Sequence, residues 1–173
     1  MDCERLIRFG LLGNANLEQY AILLVRIALG LFFAVSGGNK LFVASRTQVM
    51  YETLVEAKVP LPRLMTYFVS SVEFAGGCLL ILGLLSSLVS FALLVNMLVA
   101  ILTTSLSAVP KGLSPLNWLG DFLYLPEALY VLFFVWLICS GPGKFSADYL
   151  IAARRLQCAD SDAGAELNRL VQM

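Results

Sequence analysis

Three ionisable residues, Arg26, Glu73 and Glu127, stand within otherwise apolar stretches of this 173-residue chain. A charge at the centre of a bilayer costs about 2.5–3.5 kcal/mol on insertion scales, so such residues pair with each other, line a cavity or meet a substrate. An arginine there can hold an anionic or carbonyl oxygen, and a carboxylate can exchange a proton with a bound group. Arg26, Gly30, Phe33, Gly37 and Lys40 recur at spacings of four and three, which puts them within about 40° of one another on an ideal helix. Arg26 and Lys40 are about 21 Å apart along that helix. Lys40 suits snorkelling to head groups, whereas Arg26 is expected to point into a bundle.

Glu73 has Gly76 and Gly77 at the helical spacings of three and four, so another helix can approach closely beside the carboxylate. An ion pair of Glu73 with Arg26 or Lys40 would fix the register of two helices and need no further role. Glu127 follows Pro126, and proline at a helix start with an acid in the first turn is ordinary capping chemistry. An antiparallel order also brings Glu127 to the membrane face of Lys40, which leaves a polar pocket shared with Glu73 open. Asn96, near the middle of its segment, suits an interhelical hydrogen bond.

These residues need apolar helices to carry them, and the composition supplies them. With 59% hydrophobic and 14% charged residues and a mean hydropathy of +0.82, the chain belongs in a membrane. Apolar runs cover about residues 20–38, 65–85, 88–106 and 126–139. A span takes about 20 residues, so the fourth run needs Phe122 to Leu125 to reach full length. The expected fold is all-α, a polytopic four-transmembrane-helix bundle, because the runs lack the alternation of barrel strands. Residues 1–19 read as a polar N-terminal segment, 20–152 as the membrane domain and 153–173 as a polar tail. Ala34-Val35-Ser36 loosely resembles a signal cleavage site, but the mixed charges before the first run argue for its retention.

The short connection Gly83 to Ser87 predicts an antiparallel hairpin. Thr47 to Lys58 predicts a helix at the membrane boundary, ended by Val59-Pro60-Leu61-Pro62. Trp118 and Tyr124 in the third connection suit that boundary too. Basic residues number six on one side (Arg5, Arg8, Lys144, Arg154, Arg155, Arg169) and five on the other (Lys40, Arg46, Lys58, Arg63, Lys111). The Arg154-Arg155 pair places both termini in the cytoplasm.

The chain has no histidine, which excludes a bis-His haem, a His-ligated metal and any His-based catalytic dyad within it. Cys3, Cys78, Cys139 and Cys158 are scattered without a C-x-x-C pair; Cys78 and Cys139 would meet only if their helices pack suitably. There is no phosphate-cradling glycine loop or flavin fingerprint. No metal site and no cofactor of the chain's own are expected. Zero net charge without a basic run speaks against nucleic acid as a partner.

Three stretches together carry a resemblance. They are Leu24-Val25-Arg26-Ile27-Ala28-Leu29-Gly30 running to Gly37-Gly38-Asn39-Lys40-Leu41-Phe42, Glu73-Phe74-Ala75-Gly76-Gly77 running to Leu82-Gly83-Leu84, and Gly141-Pro142-Gly143-Lys144-Phe145-Ser146-Ala147-Asp148. In this order and spacing they resemble the DoxX family. The resemblance implies a four-helix bacterial inner-membrane protein, related to the small subunit of thiosulfate:quinone oxidoreductase and more distantly to MauE proteins. It further implies a link to sulfur or thiol redox and to membrane complexes that handle oxidative stress. Ser36 stands where the family often has a histidine, so a role resting on that imidazole does not carry over. Ser146 is expected to cap a short helix after the fourth span.

The functional expectation is an inner-membrane subunit of a redox-linked system. It would bind a quinone or a small sulfur or thiol compound in a polar pocket around Arg26 and Glu73, with Lys40, Asn96 and Glu127 as further candidates. Gly30, Gly37, Gly76 and Gly77 are the expected helix-packing positions. Two alternatives stand beside it: a structural accessory subunit of a larger membrane complex, and a small-molecule carrier acting as an oligomer. The expected partners are the bilayer, other membrane subunits or further copies of the chain.

Overall fold

The structure, a computed structural model, describes residues 15–157 apart from 107, 108, 111 and 113. Arg5, Arg8, Lys111, Arg169, Cys3, Cys158 and the tail beyond residue 157 lie outside the described residues. All regular structure among the described residues is helical. Helix α1 is Ala15–Phe42, α2 is Ala44–Glu56, α3 is Pro62–Leu82 and α4 is Ser86–Ala100, continued by a wider π-helical turn at Ile101–Ser105. Helix α5 is Pro115–Leu123, α6 is Pro126–Ser140, and α7 runs over residues 147–157.

Three helices, Leu17–Phe42, Pro62–Leu82 and Ser86–Ser105, are long and apolar enough to cross a membrane. The fourth span departs from the straight helix expected from sequence. Helices α5 and α6 together have the length and composition of a span, but they meet at a bend of 71°. Pro126 opens α6, and a proline lacks the backbone donor that would continue α5 and restricts the residue before it. Leu125 accordingly takes an extended conformation at φ −66°, ψ 125°. Helix α6 alone, with 15 residues, reaches about 22 Å.

Helices α1 and α3 make the closest pair, α4 packs mainly on α6, and α3 joins the two pairs through α4. The α1–α3 contact is backbone on backbone. A Cβ on Gly30 would sit 2.9 Å from the Gly77 carbonyl oxygen, and one on Gly37 would sit 2.8 Å from the Ser70 carbonyl oxygen. Gly76 faces the other way, against Leu93 of α4 at 3.3 Å. All four packing glycines expected from sequence therefore lie at helix contacts, where small residues let backbones approach. The core contains Ile22, Leu29 and Phe33 of α1, Leu80 of α3, Leu93 of α4 and Phe134 of α6. Phe33 meets Tyr130 and Phe134 with ring centroids 5.4 and 5.3 Å away.

Helix α2 follows α1 after a single residue and packs against α1 and α3. The Thr47 hydroxyl ties it down by donating to the Lys40 carbonyl at 2.6 Å. The π-helical turn coincides with Thr103 and Thr104, whose hydroxyls donate to the carbonyls of Val99 and Ala100 at 2.8 Å. Such back-bonding competes with the regular ladder and bends helices.

Candidate functional site

The sequence suggested one pocket around Arg26 and Glu73, and the structure separates these residues into two polar centres. Gly37 packs against Glu73, whereas Arg26 lies beside Gly83. Eleven residues of α1 separate Arg26 from Gly37, which amounts to about 16 Å of helix. Because α1 and α3 run antiparallel, the glycine register that brings residue 37 to residue 73 carries residue 26 past the end of α3.

The inner centre gathers around Glu73, which is 3% exposed. Lys40 Nζ donates to Glu73 Oε2 at 2.6 Å, and Asn96 Nδ2 donates to Oε1 at 3.2 Å. Ser36 Oγ lies at the long limit of a hydrogen bond to Oε2, at 3.5 Å. Three helices thus converge on one carboxylate: Ser36 and Lys40 from α1, Glu73 from α3 and Asn96 from α4. Of the two ion pairs weighed from sequence, the one formed is Glu73 with Lys40. The Lys40 side chain remains 26% exposed, and an ammonium has three donors, so it can serve the carboxylate and still reach another acceptor.

Lys40 and Ser36 also line a groove of about 730 Å³ between α1 and α2. Leu31, Phe32, Val35 and Val49 supply its apolar wall. The first three of these are exposed apolar residues of the α1 span. The groove therefore leads from the apolar exterior to the cation of the Glu73 pair.

The outer centre is a clamp at the opposite end of the bundle. Arg26, 2% exposed, donates through Nη1 to the Pro142 carbonyl at 2.5 Å and through Nη2 to the Phe145 carbonyl at 2.6 Å. Asp148 accepts from the backbone N–H groups of Leu85 and Ser86 at 2.8 and 2.7 Å, while its own N–H donates to the Gly83 carbonyl at 3.0 Å. Ser146 Oγ accepts from the Tyr149 N–H at 3.1 Å, the cap expected for α7. The Gly141–Asp148 stretch is thus more than a helix exit, since it binds α1 and the α3–α4 hairpin together.

This arrangement explains two backbone conformations. Gly83 has φ +68°, and a Cβ there would lie 2.8 Å from Ser146 Cβ and 2.9 Å from Arg26 Nη1. Leu85, without glycine's freedom, has φ +51°, a conformation that costs about 1–2 kcal/mol. Its hydrogen bond to Asp148 offsets that cost. Replacing Asp148 by alanine should remove the acceptor of two N–H groups and lower stability by about 1–2 kcal/mol. Chemical denaturation in detergent would register this as a lower midpoint, whereas Asp148→Asn should recover part of the loss.

Glu127 opens α6 as expected, but it makes no hydrogen bond to the Glu73 centre, and its buried Oε2 has no partner among the described residues. Cys78 and Cys139 are both free thiols. Sequence reasoning passed over Asp148 and gave Ser36 no part in the site. The signal for Ser36 was its spacing of four from Lys40; for Asp148 it was the acid closing the glycine-rich stretch.

Comparison with curated proteins and with solved structures gives no match. The DoxX family model matches residues 21–106, a range that contains Arg26, Ser36, Lys40, Glu73 and Asn96 and ends before Glu127 and the Gly141–Asp148 stretch. The match takes in most of the first span, the whole of the second and third and every residue of the Glu73 centre, and the chain belongs to the DoxX family of membrane proteins.

Proposed function

We propose that this protein is an inner-membrane subunit of a redox-linked system, with both termini cytoplasmic, and that it binds a quinone at the Glu73 centre. The observation that carries the reading is the juxtaposition of the buried Glu73 carboxylate, held by the partly exposed Lys40 and Asn96, with a groove that reaches Lys40 and has an apolar wall on α1 and the polar residues Asn39, Arg46 and Thr53 in its lining. A quinone has the matching form, a polar head with carbonyl oxygens on an apolar body. Lys40 donates to a head-group oxygen, and Glu73 relays protons to it. Quinone reduction takes two electrons and two protons; the redox partner supplies the electrons and this chain assists on the proton side. A small sulfur or thiol compound suits the polar cluster but makes no use of the groove.

A second reading, an accessory subunit that only assembles a larger complex, is favoured by one observation. Both Glu73 oxygens already have partners, as a pin fixing helix register requires. Mass spectrometry of gently solubilised protein from its native membrane distinguishes the two. The quinone reading expects a retained quinone, lost in the nearly isosteric Glu73→Gln variant while co-purifying subunits remain. A stoichiometric complex that retains no quinone would overturn it in favour of the accessory role.

A further inference from the structure

A second groove, of about 540 Å³, lies on the other side of α2, against the start of α3. Thr47, Gln48 and Tyr51 of α2 and Arg63 and Tyr67 of α3 line it, together with Leu41 and Phe42 at the end of α1. It does not include any residue of the Glu73 centre. Its only charged lining residue is Arg63, whose guanidinium has no ion-pair or hydrogen-bond partner among the described residues. Gln48 of the lining donates to the Glu52 carboxylate at 2.8 Å.

From this geometry we infer that the groove is a binding site for an anionic phospholipid of the surrounding bilayer. Three features favour that occupant. The groove lies at the end of the α1 and α3 spans, where head groups meet hydrocarbon. Arg63 supplies a planar fork of donors suited to a phosphate, and Tyr51 and Tyr67 line the same groove. Phe42 and Tyr67 of the lining and Phe68, next to Tyr67 in α3, are exposed apolar rings, along which an acyl chain would lie. A soluble phosphate would use the donors and leave that surface uncovered. This inference does not depend on a quinone binding at Glu73.

The test is native mass spectrometry of the full chain in detergent with an equimolar mixture of dioleoylphosphatidylglycerol and dioleoylphosphatidylcholine. The inference expects preferential retention of the phosphatidylglycerol. Arg63→Gln should reduce that retention about fivefold, the effect of one basic residue near a membrane surface, and Tyr51→Phe with Tyr67→Phe should reduce it further. Arg63 is exposed, so the unfolding midpoint should not move. Arg154→Gln, at the opposite end of the bundle, should leave retention unchanged. Equal retention of the two lipids, an unaltered Arg63→Gln variant, or an equal loss in Arg154→Gln would overturn the site. Complete displacement by glycerol phosphate would show a soluble-anion site and overturn the lipid assignment.

Discussion

Gly77→Ala is expected to be the most disruptive single-methyl change in this protein. The added Cβ would lie against the Ala34 backbone nitrogen, 2.7 Å from the Gly30 carbonyl oxygen and 2.8 Å from Ala34 Cα. All three are backbone atoms of the facing helix, so no side-chain rotation can relieve the contact. Helices α1 and α3 would have to separate along the interface that holds the bundle's closest pair. Overpacking a tight core costs about 1–3 kcal/mol when side chains can yield, and here the expected loss is at or above the top of that range. Gly120→Ala is the control, because nothing lies within 4 Å of its added Cβ. Thermal unfolding in one detergent should show a large fall for Gly77→Ala and none for Gly120→Ala. Similar midpoints would contradict the backbone-on-backbone interface.

Arg26→Met is the second large effect. The substitution removes the donors from two carbonyls, Pro142 and Phe145, that a single guanidinium now serves. Hydrogen bonds to charged groups contribute about 1.5–3 kcal/mol each, and an acceptor left buried without a partner adds its own desolvation cost. A total loss of about 3–5 kcal/mol is expected, and it should concentrate at one end of the molecule. Hydrogen exchange should accelerate at Leu85 and Ser86, whose N–H groups depend on Asp148, and at Tyr149, which depends on Ser146. Arg26→Lys should restore only part of the loss, because an ammonium lacks the planar fork that reaches both carbonyls. If exchange rose equally along every helix, Arg26 would be a general stabiliser rather than a local clamp.

The legibility of this chain followed physical range. The three long spans and the glycine contacts could be read from sequence because hydropathy and helical spacing are local patterns. The burial of Arg26 and Glu73 followed from the cost of leaving them in hydrocarbon. Their separation could not be read, because it depends on the register of α1 against α3, which Gly30, Gly37 and Gly77 set through backbone contacts that no pattern along one helix encodes. The bend before Pro126 was signalled by the proline, but the apolar length of the run concealed it. The role of Asp148 is not legible along the chain, because its partners, the N–H groups of Leu85 and Ser86, are over sixty residues away in sequence.

On the proposed reading the two centres divide ligand binding from scaffold, with Arg26 closing one end of the bundle and Lys40 linking the Glu73 centre to a groove between α1 and α2. This division makes opposite demands on two conservative variants. The most direct test is equilibrium binding of decylubiquinone to the wild type, Glu73→Gln and Arg26→Lys in bilayer nanodiscs, using the folded fraction of each. The account predicts that Glu73→Gln weakens binding about tenfold or more, because Lys40 loses the charge-assisted hydrogen bond that holds its ammonium in place for the head group, while Arg26→Lys binds as the wild type does. Undiminished binding by Glu73→Gln, or an equal loss in Arg26→Lys, would contradict it.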